Sequence, residues 1–159
     1  MNRVLVSVTE EEPPQWAESL KKYALKVLAR LGRDKWDLSV LICGDKTITE
    51  LNSRYRGKAQ AADVLSFMQD EGEKFPSGGR SGGDRCLPGD IAISLDSLRE
   101  NARRFKVGED EELRRLLIHG ILHLDGMDHQ SNSDTEPMLR LQEQILADLT
   151  DEHILEKAS

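Results

Sequence analysis

The sequence predicts an α+β fold: a small mixed four-stranded β-sheet packed with about five α-helices, with a metal site on the central, most buried helix. Three observations carry that expectation. Apolar residues alternate in short runs near the N-terminus and around position 40, as half-buried strands require. They recur every third or fourth residue in several longer segments, as helices with one buried face require. From Leu116 to Leu124 the chain is apolar almost all round, interrupted only by His119, Gly120 and His123, which marks a helix enclosed on most sides.

Taken in order, the elements read βαβαββααα. Val4, Val6 and Val8 alternate within Arg3 to Val8 and predict a strand. Pro13 and Pro14 open a helix whose inward residues are Trp16, Leu20, Tyr23, Val27 and Leu31, stopped by Gly32. Trp36, Leu38, Val40 and Ile42 form a second strand. Asp45 caps a short helix with Ile48, Leu51 and Tyr55 inward, and Gly57 ends it just after Arg56. Ala62 to Gln69 and Asp90 to Leu95 are apolar runs of strand length, expected at the centre of the sheet. Between them the glycines and prolines of a flexible loop at about 70–88 predict a mobile flap or insertion. Ser94 or Asp96 starts a helix with Leu98, Ala102 and Phe105 inward, ending near Gly108. Acidic residues at 109–112 then open the histidine helix at the positive end of its dipole. Ser133 or Asp134 caps a last helix with Met138, Leu141, Ile145 and Leu149 on one face, followed by a frayed tail at 152–159 in which His153 is a surface residue.

Length and composition narrow the function. At 159 residues a single domain over 1–159 is expected, large enough to fold without a metal clip. Cys43 and Cys86 stand far apart, in no ligand-spaced pair, so neither a disulfide framework nor a cysteine zinc site is indicated. No stretch reaches membrane-spanning length and no basic leader precedes an apolar core, so a soluble cytoplasmic protein with no membrane partner is expected. The net charge of −7 argues against a general nucleic-acid binder. Any RNA has to be held locally, and Arg54, Arg56 and Lys58 supply one basic cluster; Arg99, Arg103 and Lys106 recur at helical spacing as a solvated face.

Three of the four histidines fall within the eleven residues from His119 to His129. In a helix His119 and His123 leave the same face one turn apart, and Gly126 can take the left-handed conformation that turns the chain back and brings His129 to them. Three imidazoles on one ion, with a position left open, is the donor set of a catalytic zinc site. The spacing matches the H-E-x-x-H-x-x-G-x-x-H pattern of zinc peptidases, but Gly120 stands where their general base, a glutamate, belongs. The ligands are kept and the peptidase base is gone. Gly120 in a helix interior also implies close packing or room for a ligand beside the metal.

At these residues the sequence resembles the YbeY family, bacterial endoribonucleases of ribosomal RNA maturation, whose signature H-G-x-L-H-L-x-G-[YM]-D-H fits His119 to His129 throughout. Further family signatures follow the same order: Leu51 to Lys58, Asp63 to Phe67 and Gly89 to Ser94. Ala59, Ala61 and Ala62 depart from the acidic residue, proline and threonine usual there, and Met68 stands in place of a usual proline. The resemblance implies that Arg56, in the Leu-Asn-x-x-Tyr-Arg motif, is the functional arginine.

The residues themselves favour a metal-dependent hydrolase, with His119, His123 and His129 holding one Zn2+ per chain, or another divalent ion such as Ni2+. Arg56 suits the stabilisation of phosphate charge as it builds. Arg54 and Lys58 are candidates for substrate binding, and Asp128 for orienting a ligand from behind. The resemblance adds the substrate. It implies a single-strand-specific endoribonuclease acting in late-stage 70S ribosome quality control and maturation of the 16S rRNA 3′ end, with ribosomal RNA and the small subunit as partners and a monomeric enzyme. Two alternatives stay open: a zinc metallopeptidase-like hydrolase, and a ribosome-associated factor whose zinc is structural.

Overall fold

Val4, Val6 and Val8 lie beside Leu38, Val40 and Ile42 of the next strand, and Val40 and Ile42 lie beside Ile91 and Ile93 of a third. Side chains alternate across a strand, so this register collects the branched residues of three neighbours on one face. The computed structural model, which describes residues 1–9, 14–68 and 85–155, has the predicted element order. It runs β1 (Arg3–Val8), α1 (Trp16–Arg30), β2 (Trp36–Cys43), α2 (Asp45–Arg56), β3 (Val64–Met68), β4 (Cys86–Ser94), α3 (Leu95–Phe105), α4 (Glu109–Leu124) and α5 (Pro137–Asp148). The sheet order is β1-β2-β4-β3, with β1, β2 and β4 parallel and β3 antiparallel to β4 at the edge. This is the mixed four-stranded sheet with five helices that the periodicities predict, except that of the two apolar runs expected at its centre only β4 lies there and β3 forms an edge.

The valine and isoleucine face packs against α1 and α4 in the main core, which continues into α5 through Met138 and Ile145. The other face carries a smaller cluster in which Ile48 of α2 meets Cys43, Phe67 and Ala92. Arg56 therefore ends a helix that lies on one face of the sheet, while the histidine helix lies on the other. They meet at the β3 edge. Burial holds the Cys43 thiol up at about 11, so it stays an inert, protonated group inside that smaller cluster.

Several boundaries differ from the sequence expectation, those of β4 and α2 through contacts made at long range. Most of the proposed loop lies outside the described residues, but its end does not: β4 begins at Cys86, paired with Trp36. The register shifts between Trp36 and Leu38, so Pro88 sits at a bulge, where its missing N–H costs no ladder bond. Asp45 is the first residue of α2 rather than its cap. Its carboxylate accepts from the hydroxyls of Ser94 and Ser97, while Asp96 accepts from the Asp45 N–H, so the starts of α2 and α3 brace each other. α3 begins with Ser94 as its cap, and α5 is preceded by Glu136 rather than by Ser133 or Asp134.

Phe105 faces solvent, with 60% of its surface exposed, where the spacing placed it inward. The helix ends there because Lys106 turns left-handed, and the Val107 N–H then bonds back to the Ala102 carbonyl. The tail is tied down as far as Leu155. Ile154 is fully buried, and the Asp110 carboxylate accepts from the backbone N–H groups of Ile154 and Leu155, from exposed His153 and from Arg114. Burial opposes the charge on Asp110, but these donors outweigh it and hold its carboxyl below the ordinary range.

What sets the position of α4 is Gly120. A Cβ there would stand 2.9 Å from Cγ2 and 3.0 Å from Cδ1 of fully buried Ile91. On the neighbouring strand the Ser66 hydroxyl donates to the Gly120 carbonyl at 3.3 Å. The helix therefore lies on β3 and β4 closer than any side chain at 120 permits. Gly120→Ala should destabilise the protein although it improves helix propensity by about 1 kcal/mol, because overpacking costs typically 1–3 kcal/mol. Urea unfolding of Gly120→Ala, of Ile91→Ala and of the pair checks this. The expected result is a pair less destabilised than the sum of its parts; additive effects would mean that the contact does not restrain the helix.

Candidate metal centre and its cleft

His119 and His123 stand one turn apart on α4, and the chain leaves the helix at Asp125 and reverses at Gly126, whose φ of +96° is open to glycine and costly for other residues. That reversal carries His129 back. Its ring centroid lies 5.3 Å from that of His119 and 5.7 Å from that of His123, and the two helix rings are 4.7 Å apart. One nitrogen from each ring lies within 4.8 Å of the other two, all three residues being half-buried. The three predicted ligands are thus brought together.

Hydrogen bonds fix which nitrogen two of the rings offer. His129 Nδ1 lies 2.8 Å from the Ser131 carbonyl, which can only accept, so Nδ1 carries the proton and Nε2 the lone pair. His119 Nδ1 lies 2.7 Å from Oε1 of Gln142. The amide of Gln142 is held in that sense by its other end, since Nε2 donates to Glu143 at 3.1 Å, and Glu143 is in turn paired with Arg115. His119 therefore donates from Nδ1 and also offers Nε2, which lies 3.1 Å from Nε2 of His123. That separation is close to the roughly 3.3 Å between ligands of a tetrahedral ion with arms of about 2.0 Å. Burial, more than any neighbour, holds His119 and His123 below the ordinary imidazole range, with His119 adding to the effect at His123. Both are neutral at pH 7, the form that binds metal. The donor set and its spacing fit one divalent cation.

A cleft of about 430 Å³ opens on these rings, and Arg56, Ser66, Met68, His119, His123 and Asp128 are among its lining. Arg56 reaches it from the end of α2, where its Nη2 donates to the Ser66 carbonyl at 2.5 Å and its guanidinium lies over the Phe67 ring at 5.0 Å. β3 thus holds the arginine on the same cleft as the histidines. Asp128 accepts from the backbone N–H of His129 at 2.8 Å, so it braces the turn that presents the third ring. Arg54 and Lys58 are exposed near the end of α2 and do not line this cleft. At position 120 the direction of a side chain runs into Ile91, so the place of the peptidase glutamate is taken up by packing against the sheet.

Gln142 is the site residue that the sequence reading did not single out, 23 residues beyond its partner. A signal was present: it is a polar residue at the helical spacing of Met138 and Ile145, on the buried face of α5. Because outer partners of ligand imidazoles are worth about 10–100-fold in metal affinity, Gln142→Leu should weaken zinc binding by that order without unfolding the protein. Competition against a chromogenic chelator measures it, and unaltered affinity would mean that the amide does not orient His119.

The chain matches the family described as Endoribonuclease YbeY over residues 4–150. It is 48% identical over 147 residues to the Endoribonuclease YbeY of Treponema pallidum (strain Nichols), covering 92% of this chain and 89% of that one. The Endoribonuclease YbeY of Aquifex aeolicus is 38% identical over 150 residues, covering 94% and 93%. A solution structure of a protein from Thermotoga maritima has the same fold, with a TM-score of 0.60 at 24% identity over 99% of this chain and 97% of that one. With the family matched along nearly its whole length, this chain belongs to the YbeY endoribonucleases.

Proposed function

We propose that this protein is a single-strand-specific, metal-dependent endoribonuclease that matures the 3′ end of 16S rRNA and acts in late-stage 70S ribosome quality control, working as a cytoplasmic monomer on the small subunit. The observation that carries the nuclease reading is the convergence of Arg56 with His119 and His123 on one cleft. Family membership supports RNA as substrate and ribosomal RNA as its source. Among the described residues no helix is long and apolar enough to cross a membrane.

His119, His123 and His129 would hold the ion, zinc being the metal favoured by three imidazoles. The chemistry such an ion supplies when bound is Lewis acidity at a phosphodiester and acidification of water. The rest is done by the chain. Arg56 lines the cleft, held there by β3, and its planar guanidinium would grip a phosphate oxygen and offset the charge that grows there in the transition state. Arg54 and Lys58, exposed on the same end of α2, would hold neighbouring phosphates of the strand. Asp128 keeps the turn at His129 in shape and sets a carboxylate on the cleft wall. A single strand suits this cleft because its nucleotides can be splayed, whereas a duplex presents a stiff double rail.

Two variants separate binding of metal from catalysis. Arg56→Ala should keep its zinc and its melting temperature but lose cleavage of a single-stranded RNA carrying the 16S 3′ end, on the order of 100-fold or more by analogy with deleted oxyanion donors. Arg56→Lys should recover only part, since lysine keeps the charge and loses the two-pronged geometry. Unchanged cleavage by Arg56→Ala would remove the arginine from the site. His123→Ala should lose both zinc, by elemental analysis, and cleavage, whereas Cys43→Ser should keep its metal; full zinc occupancy in His123→Ala would overturn the ligand assignment.

A further inference from the structure

A second cavity, of about 280 Å³, opens on the same histidines. His119 lines both cavities; His123 lines the first, and His129 the second. A strand whose phosphate rests at the three rings therefore has both cavities beside that phosphate. The two are lined differently. Arg56 serves the first, whereas the second contains the carboxylates of Asp63 and Glu112, and its arginine, Arg115, is already engaged by Glu111, Glu112 and Glu143. Such a lining offers a phosphate no uncommitted guanidinium. It suits a neutral ring that can stack and take an amide hydrogen bond, and Phe105 and Asn132 supply those groups, while the amide N–H groups of Asn101 and Gln142 are held by the neighbouring carboxylates.

Phe105 is the second cavity's exposed ring. Among the described residues the large apolar side chains that face solvent are Met1, Leu5, Met68 and Phe105; Met68 lines the first cavity and Phe105 the second. The Arg104 guanidinium lies 5.8 Å from the centre of the Phe105 ring, and exposed Arg103 and Lys106 flank it. An exposed aromatic face rimmed by cations is the arrangement on which single-stranded nucleic acids stack their bases while their phosphates stay at the rim.

We propose that the second cavity is a nucleobase subsite, in which Phe105 stacks on the base of a nucleotide adjoining the cleaved phosphate. The inference rests on the nuclease reading above. It gives the protein a reason to require unpaired RNA: the base must leave its helix to enter the cavity.

The test compares three single-stranded RNAs of one sequence, carrying the 16S 3′ end: intact, abasic on the 5′ side of the cleaved bond, and abasic on its 3′ side. Phe105→Ala should lower kcat/KM on the intact RNA about tenfold, the size expected for losing one stacked base, with zinc content and melting temperature unchanged. On one of the two abasic RNAs wild type should fall by a similar factor and Phe105→Ala should lose nothing further. Phe105→Tyr should retain activity and Phe105→Leu should not, because leucine keeps apolar bulk without the stacking face. If Phe105→Ala cuts intact RNA as fast as wild type, or is slowed equally on all three RNAs, the subsite is wrong while the nuclease stands. If wild type with its zinc cuts none of them, the nuclease reading fails and the subsite with it.

Discussion

The contact on which the site depends is the one between Gly120 and Ile91. Because position 120 lacks a Cβ, α4 lies directly on β3 and β4, and its neighbours His119 and His123 come out at the sheet edge that also holds Arg56 through Ser66 and Phe67. A side chain at 120 would lift the helix and part the two halves of the cleft. The residue that distinguishes this motif from the zinc-peptidase pattern is thus a packing residue here, and its effect is to set the separation between imidazoles on one side of the sheet and a guanidinium arriving from the other.

Around that contact the fold arranges charge so that an acidic protein can handle a polyanion. The net charge is −7, yet much of the acidity near the site is committed. Glu112, buried beneath the second cavity, is driven towards its protonated form mainly by burial, opposed by Arg115 and Asn101; Glu143 is engaged by Arg115 and Gln142. Asp110 is spent on the tail. Among the exposed cations, Arg54 and Lys58 lie at the end of α2, and Arg104, Lys106 and Glu100-paired Arg103 at the end of α3. A polyanion is attracted locally, and burial favours the neutral, metal-binding form of His119 and His123 beside it.

The element order, the sheet and the three clustered histidines were legible in the sequence because each rests on a local rule. Valine alternation makes β1, the four-residue step puts His119 and His123 on one face, and Gly126 permits the reversal that returns His129. What escaped depends on partners far along the chain. Pro88 reads as loop until β2 supplies a bulge for it, Ile154 reads as tail until Asp110 captures its backbone, and Phe105 reads as core until Lys106 ends its helix one residue later. Gln142 is an ordinary helix residue by composition, and only the packing of α5 on α4 makes it the partner of His119. The role of Gly120 was half legible: its cost in a helix signalled a close approach, but not to which residue.

The central claim is that Nε2 of His119, Nε2 of His129 and a ring nitrogen of His123 converge on one ion beside Arg56. The measurement that addresses it most directly is a crystal structure of the zinc-loaded protein with anomalous scattering recorded on both sides of the zinc edge. One peak per chain is expected, about 2.0–2.1 Å from a nitrogen of each ring, with a position open towards the Arg56 cleft. A peak at Cys43 or between Asp63 and Glu112, or an ion with a fourth protein ligand closing it off from Arg56, would contradict the claim.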